Sequence, residues 1–477
     1  MHSTALIGLI VGALLALASL VLQQSFWAWL AIPVVVCGIA VNKIADGPGW
    51  LSWSVAVPCF YMVFFVGIPV VLEVTGAEGF SGRTDVVYAL LAAALGIGTF
   101  GFGSALVRTR TGGRRSTVAL FGGGRFQALS SPGAALALTV AGAVAVVYSF
   151  FFGYFGLTST LSETGSLAGI MSVLSTLAEA GLVLAWIGYF RDGRRAWLLV
   201  GIVGLVLALA AGLFSKSKGA AIFPAVNVGV AYFLVRGRIP GVALVSVVLA
   251  FFFVIQPFVT IWRALSGVEY SDRIEMISQG VAVLSKMEIG LPDFSDVEVK
   301  GGFSRGVLDV AARITDEAGK IVPYKAGETF VAAADTVVPR FLWPGKPDNS
   351  LGNEIGHTYG AIENVADEVT NVAPTLVGEF FANFGWIGVA IGMFLLGLVA
   401  GWVDWRVTTN WGSWFWAWTF LKVFGGQEAT LAQAYIPLAK AILSFMVLFA
   451  IGDRMLKAKA TTHDSGRSVP KLTSTVP

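Results

Sequence analysis

The sequence predicts an all-α integral membrane protein: a polytopic helix bundle of about twelve transmembrane helices with one large extracytoplasmic loop containing surface helices. Three observations carry this. Only 13% of the residues are charged and 56% are hydrophobic, with mean hydropathy +0.76; a soluble domain carries about 25% charged residues. Apolar runs of the ~20 residues needed to cross hydrocarbon recur along the chain. Arginine-rich short loops alternate with acidic ones, as cytoplasmic and outward loops do.

The runs lie near 4–22, 26–43, 51–72, 85–107, 133–152, 168–190, 197–214, 220–235, 241–261, 376–402, 409–424 and 434–454. The first lacks a basic n-region, and the second follows it after only Gln23, Gln24 and Ser25, so it is expected to be retained and not cleaved as a signal peptide. Arg108, Arg110, Arg114, Arg115 and Arg125 follow the fourth run, Arg191, Arg194 and Arg195 the sixth, and Arg236 and Arg238 the eighth. These loops are assigned to the cytoplasm, and those holding Glu73, Glu78 and Glu163 to the outside, with both termini cytoplasmic. The eleventh run is short, rich in tryptophan and interrupted by Lys422; it is kept because the tail bearing Arg454, Lys457, Lys459, Arg467 and Lys471 would otherwise face out. The organisation expected is a membrane bundle of about nine spans over 1–262, an extracytoplasmic loop over 263–375, further spans over 376–456, and a disordered cytoplasmic tail over 457–477.

The loop is too long to be a bare linker. Leu308, Ala311, Ala312 and Thr315 recur at helical spacing within 305–318, and Phe330, Val331, Ala334, Val337 and Val338 within 328–338, where Pro339 stops the helix. Such helices are expected to lie along the membrane surface. Seventeen acidic residues against ten Lys and Arg mean that the loop's cations are not a simple solubilising coat.

Several function classes are disfavoured. A net charge of +3 gives no nucleic-acid signal, and Cys37 and Cys59, both in apolar runs, supply neither a disulfide framework nor metal-ligand spacing. No P-loop, GxSxG, dinucleotide fingerprint or internal repeat stands out, and no cofactor or metal is expected. Fifteen Trp suit interfacial anchoring.

The residues best suited to chemistry cluster late. The run PRFLWPGKP (339–347) is stiffened by three prolines and presents Arg340 and Lys346, with Phe341 and Trp343 suited to the lipid–water boundary. Arginine forks onto phosphate oxygens and lysine acts as a point charge, so the run fits a lipid diphosphate; a structural turn with paired cations is the alternative. Lys216 and Lys218, in the SKSKG turn at 215–219, break the positive-inside pattern and suggest an anion at the outer interface, or else snorkelling helix ends. His357 is the only histidine away from the termini, and Asn353 lies near it. Glu379 opens the tenth run, as a general base or as an orienting partner for Arg340. Glu179 is the one acid deep in a span, a functional candidate unless it is protonated or bonded, with Asn227 a possible partner.

The run PRFLWPGKP, then Gly352 and Asn353, then GEFFANFGWIG, resembles the bacterial oligosaccharide repeat-unit polymerases, the Wzy-like polymerases of O-antigen, capsule and exopolysaccharide. The SKSKG turn is similar to the small basic turn before their long loop. The resemblance implies a GT-C-like membrane fold in the bacterial plasma (inner) membrane and a metal-independent, inverting glycosyltransferase. It implies a polyprenyl-diphosphate-linked oligosaccharide as donor and another as acceptor, with a chain-length regulator and a flippase as further partners. It implies cations at the leaving diphosphate, for which Arg340, Lys346, Lys216, Lys218, Arg263 and Arg305 are candidates, and a base, for which Glu379 and His357 compete. Trp343, Asn353 and Glu179 are candidates for positioning substrate. An O-antigen-ligase-like glycan transferase and a secondary transporter stay open as alternatives at this point.

The orientation is testable. A cysteine placed at Asn349 is expected to react with an impermeant maleimide in cells whose inner membrane is intact. Labelling only after that membrane is opened would invert the topology.

Overall fold

A computed structural model of the chain describes residues 3–44, 50–76, 79–80, 82–110, 120–121, 129–151, 166–215, 218–238, 241–255, 258–259, 278, 282, 306–338, 343, 351–365, 367 and 370–465. Helices α1 (Ser3–Leu22) and α2 (Ser25–Ile44) form a hairpin beside α3 (Trp53–Tyr61). A π-helical turn, Met62–Gly67, carries α3 into α4 (Ile68–Thr75). Then come α5 (Thr84–Arg110), α6 (Pro132–Phe151), α7 (Ser166–Asp192), α8 (Arg195–Phe214) and α9 (Lys218–Arg236). The helix α10 (Gly241–Ala250) ends in a second π turn, Phe251–Ile255. Three short helices, α11 (Val307–Glu317), α12 (Glu328–Val337) and α13 (Leu351–Thr358), precede α14 (Thr375–Arg406), α15 (Trp414–Gly426) and α16 (Leu431–Ser465).

Among the described residues there is no named strand, and nine helical stretches are long and apolar enough to cross a membrane. Three expected spans are shorter: the apolar part of α2 is Ser25–Val41, α10 has 10 residues before its π turn, and α15 has 13. At 1.5 Å per residue α15 is ~20 Å long, well under the ~30 Å of a hydrocarbon core. Leu14, Leu17 and Leu20 on α1, and Leu199, Val203 and Val206 on α8, are exposed on the bundle's flanks. A surface of this kind belongs against lipid, not water.

Two helices form the spine. α5 and α14 pack along their length because Gly397 and Gly401 leave room for backbone contact: a Cβ on Gly397 would stand 2.1 Å from Phe100 O, and one on Gly401 2.8 Å from Ser104 O. Small residues four apart are the usual device for close helix pairing where no hydrophobic force distinguishes helix from lipid. At the far end of this spine, Asp404 accepts hydrogen bonds from Trp53 N (3.0 Å) and Ser54 N (3.1 Å), the first amides of α3, and from Trp416 Nε1 (3.0 Å). One carboxylate thus ties α14 to the start of α3 and to α15, and satisfies donors that an apolar medium would leave orphaned.

Trp53, Trp197, Trp414, Trp416 and Trp418 are buried within the protein, and the indole N–H of Trp53 donates to Thr419 Oγ1 (2.7 Å), as buried indoles need a partner. Three expectations are corrected here. The tenth span is not one continuous helix, as described below. The buried face of α12 is Thr329 and Ala333, with Phe330 half-buried against Phe380 and Phe384; Val331 and Val337 are exposed, because the partner helices α14 and α16 lie on the other side. The last helix runs to Ser465, into the tail expected to be disordered. The face expected for α11 holds: Leu308, Ala311, Ala312 and Thr315 are all buried, against α5 and α14.

Removing the carboxylate in Asp404→Ala is expected to destabilise the bundle by about 1–3 kcal/mol per buried donor left unpaired. The fall in midpoint of detergent-solubilised protein, followed by thermal unfolding, should be several degrees, with Asp404→Asn milder. Equal midpoints for the alanine variant and the parent would show that this cap is not structural.

Candidate functional site

The site is built by a break in α14. Phe384 (φ −144°, ψ 18°) and Gly385 (φ 61°, ψ −145°) are not helical, and the chain reverses there. A Cβ on Gly388 would lie 2.2 Å from Phe380 O, and one on Gly392 2.7 Å from the Phe380 ring. In a straight helix residues 380 and 392 would be ~18 Å apart, so residues 375–383 fold back along 386–406 as a hairpin. Glycine at 385 supplies the positive φ and the missing side chain that the reversal requires.

The first limb therefore begins inside the bundle. Val377 N–H donates to Tyr61 Oη (3.3 Å), level with the end of α3. Thr375 N–H donates to Glu428 O and Leu376 N–H to Gln427 O, both 3.1 Å. The orphan amides of one helix start are met by the carbonyls that follow α15. The start of α16 completes the junction: Leu431 N–H donates to Glu379 Oε2 (2.7 Å).

Glu379 is fully buried, and its Oε1 has no hydrogen-bond partner among the described residues, the Thr329 hydroxyl being the neighbouring polar group. One turn on, buried Asn383 donates to Glu379 O and to Thr329 Oγ1, both 2.8 Å. Its Oδ1 accepts from Gly327 N (2.9 Å). Lys325 N–H donates to Ala382 O (2.9 Å) and Ala326 N–H to Asn383 O (3.2 Å). The turn before α12 is thereby seated on the hairpin tip, and a line of polar groups runs from the buried carboxylate to the surface. Above it, the Lys325 ammonium, its side chain only 10% exposed, pairs with Glu354 of α13 and lies 3.8 Å from Glu328.

The other candidates fall into three groups. Asn353 and His357 lie together on α13, where both hold the following loop: Asn353 Nδ2 donates to Asp367 O and Thr370 O (2.8 Å each), and His357 Nε2 lies 3.0 Å from Asp367 O. No hydrogen bond joins either to Glu379 among the described residues. Glu179 sits elsewhere, on α7, and its partner is not Asn227 but Lys422 of α15, at 2.6 Å; Asn227 Oδ1 has no partner among the described residues. Trp343 is described and part-exposed, and Lys218 opens α9 with its side chain outside the described atoms. Arg340, Lys346, Lys216, Arg263 and Arg305 lie outside the described residues.

Sequence reasoning missed Asn383, Thr329 and Lys325. Asn383 stands four residues after Glu379, the one-turn spacing that places two polar groups on one helix face, and that signal was present. Lys325 and Thr329 had none, since only the hairpin brings residues 325–329 to residues 379–383.

A carboxylate with one oxygen bound and one free, shielded from bulk water, can accept a proton from a substrate group or hold a donor in place. Residues 153–425 match the family described as O-antigen polysaccharide polymerase Wzy. No solved structure matches the chain. The match takes in more than half of the chain, including the hairpin and the whole polar line above it, and the chain belongs to the O-antigen polysaccharide polymerase Wzy family.

Proposed function

We propose that this multi-pass protein of the bacterial inner membrane joins polyprenyl-diphosphate-linked oligosaccharide repeat units into a surface polysaccharide. The observation that carries this is the placement of the family-matched region around one buried carboxylate, Glu379, with a free oxygen at the loop-bearing end of the bundle. In this reading about twelve helical passes put both termini in the cytoplasm and the 263–375 loop outside, and the fold is GT-C-like. A chain-length regulator and a flippase would act beside it. The family match favours a polymerase over a ligase and over a secondary transporter.

The proposed reaction is a single inverting displacement. A hydroxyl of the acceptor unit attacks the anomeric carbon of the chain on the second lipid. The C–O bond to the polyprenyl diphosphate breaks, and that diphosphate leaves with the bonding pair. The hydroxyl proton passes to Glu379 Oε1, which is preferred over His357 because the histidine already holds the Asp367 carbonyl. Glu379 Oε2, fastened to Leu431 N–H, keeps the carboxylate in one orientation. Charge that develops on the diphosphate needs cations, and Arg340 and Lys346 are assigned that role, with Lys216, Lys218, Arg263 and Arg305 as further candidates. Trp343 would line the lipid boundary beside them. Asn353 positions the loop that α13 carries, and the Glu179–Lys422 pair holds α15 to α7.

Glu379→Gln keeps an acceptor for Leu431 N–H and removes the base. It should leave membrane levels near normal and lower the polymerisation rate by about 10²–10⁴, read as loss of the polymer ladder on gels of surface glycan. Arg340→Ala should lower the rate by about 10²–10³. Arg340→Lys should also fail substantially because an ammonium does not fork, and Lys346→Arg should be milder. A normal ladder from Glu379→Gln would remove this residue from the mechanism, and one from Arg340→Ala would remove the phosphate clamp.

Purified protein given its lipid-linked repeat unit is expected to polymerise it in the presence of a chelator. Activity lost to the chelator and restored by one particular divalent metal would overturn the displacement as written.

A further inference from the structure

A glycan standing on a membrane-anchored diphosphate has one direction open to it. Its hydroxyls are too costly to bury in hydrocarbon, so it must extend away from the bundle, over whatever caps the hairpin tip. That cap is the 324–327 turn, and its construction is unusual for a mere connection. Three of its four amide N–H groups, those of Lys325, Ala326 and Gly327, are spent on residues 382 and 383, and beside Gly327 (φ 98°) it holds Ala326 at φ 48°, a conformation that strains a residue with a side chain. Strain of this sort persists only where neighbouring structure over-determines it, and it concentrates at sites of function.

The turn also fixes an aromatic ring. Tyr324 fits between two glycines that have no room for a side chain: a Cβ on Gly319 would stand 2.3 Å from the Tyr324 ring, and one on Gly385 2.7 Å from its hydroxyl. Pinned on these sides, the residue is still 46% exposed. Beside it stands Lys325, whose ammonium bridges to Glu354, itself half-exposed, with Glu328 at 3.8 Å. Tyr359 is fully buried, with a hydroxyl that has no partner among the described residues and with Glu317 and Tyr324 as its charged and phenolic neighbours. Burial pushes that phenol up to about 12, so it stays protonated, a hydrogen-bond donor in waiting.

We propose that Tyr324, Lys325 and Glu354 form a saccharide subsite that holds the membrane-proximal sugars of the repeat unit above Glu379. A pyranose offers an apolar face of C–H groups and a rim of hydroxyls. The face matches a rigid, half-exposed ring, which costs little entropy to engage. The rim matches a carboxylate and an ammonium already placed side by side, each able to make charge-assisted hydrogen bonds to hydroxyls. The hydrogen-bonded line through Gly327, Asn383 and Glu379 sets the sugar's height over the carboxylate. This subsite rests on the polymerase reading for its ligand, but its geometry does not depend on Glu379 being the base.

The test uses full-length protein in nanodiscs and two probes: the host's lipid-linked repeat unit, and the same oligosaccharide released from its lipid by mild acid. Tyr324→Ala and Glu354→Gln are expected to raise KM for the lipid-linked unit about tenfold, with a smaller effect on kcat. Tyr324→Phe, which keeps the ring in its slot, should recover most of the loss. Ligand-observed NMR with the released oligosaccharide should show binding to the parent protein that Tyr324→Ala loses. Should Tyr324→Ala fail to fold, Glu354→Gln decides: a raised KM supports the subsite and an unchanged KM overturns it. With Tyr324→Ala folded, unchanged KM in Glu354→Gln together with unchanged oligosaccharide binding in Tyr324→Ala would overturn the subsite. If the parent protein makes no polymer, the polymerase reading falls, and the oligosaccharide measurement still decides the subsite: binding lost in Tyr324→Ala supports it, and no binding by the parent overturns it.

Discussion

Inside an apolar bundle no water is present to complete a backbone, so every helix end that stops there must find its partner in the protein. Three helices end or begin together within this one. The carbonyls of Gln427 and Glu428, just past α15, receive the first amides of α14, and the Glu379 carboxylate receives the first amide of α16. The half-length of α15, the reversal at Gly385 and the burial of Glu379 are all consequences of this junction. A carboxylate at a helix start is also favoured by the dipole of that helix, so the group proposed to take a proton is first of all a structural cap. Its second oxygen is what the cap leaves over.

Charged groups also fasten the helices on either side of the junction. Asp404 joins α14 to α3 and α15 at one end of the spine, and Arg83 bridges Asp85 and Asp309 at the other (2.7 and 2.6 Å). That second bridge holds the guanidinium well above its ordinary pKa, chiefly through the Asp85 hydrogen bond, and fastens α11 to the start of α5. Between them, Lys422 and Glu179 tie the short helix to α7. Paired charges within apolar segments are costly to create and destabilising to break singly, which makes them pins for position more than sources of stability.

Much of the functional reading lay in plain view along the chain. The span pattern, the two loop helices near 305–318 and 328–338, and Glu379 as a notable acid at the start of a span all follow from hydropathy and helical spacing. The tryptophan count alone did not show which indoles pack inside the protein; indole suits a packed core that offers its N–H an acceptor, and only the fold gave Trp53 the Thr419 hydroxyl and Trp416 the Asp404 carboxylate. His357 stood out as the one histidine away from the termini and competed with Glu379 for the role of base; the fold sets it 3.0 Å from the Asp367 carbonyl and beside Asn353, which holds the same loop.

By itself the sequence determined that the chain crosses a membrane many times and folds as helices, because hydropathy and periodicity are local properties that no packing can reverse. It also carried the motifs by which the family was recognised, from PRFLWPGKP to GEFFANFGWIG. Tertiary structure alone decided that residues 375–383 turn back into the bundle, that Lys422 and not Asn227 answers Glu179, and that Lys325, Thr329 and Asn383 meet above Glu379. Those pairings join residues that are tens to hundreds of positions apart. They depend on which helices pack, and helix packing in lipid is set by close fit and hydrogen bonds that no single segment encodes.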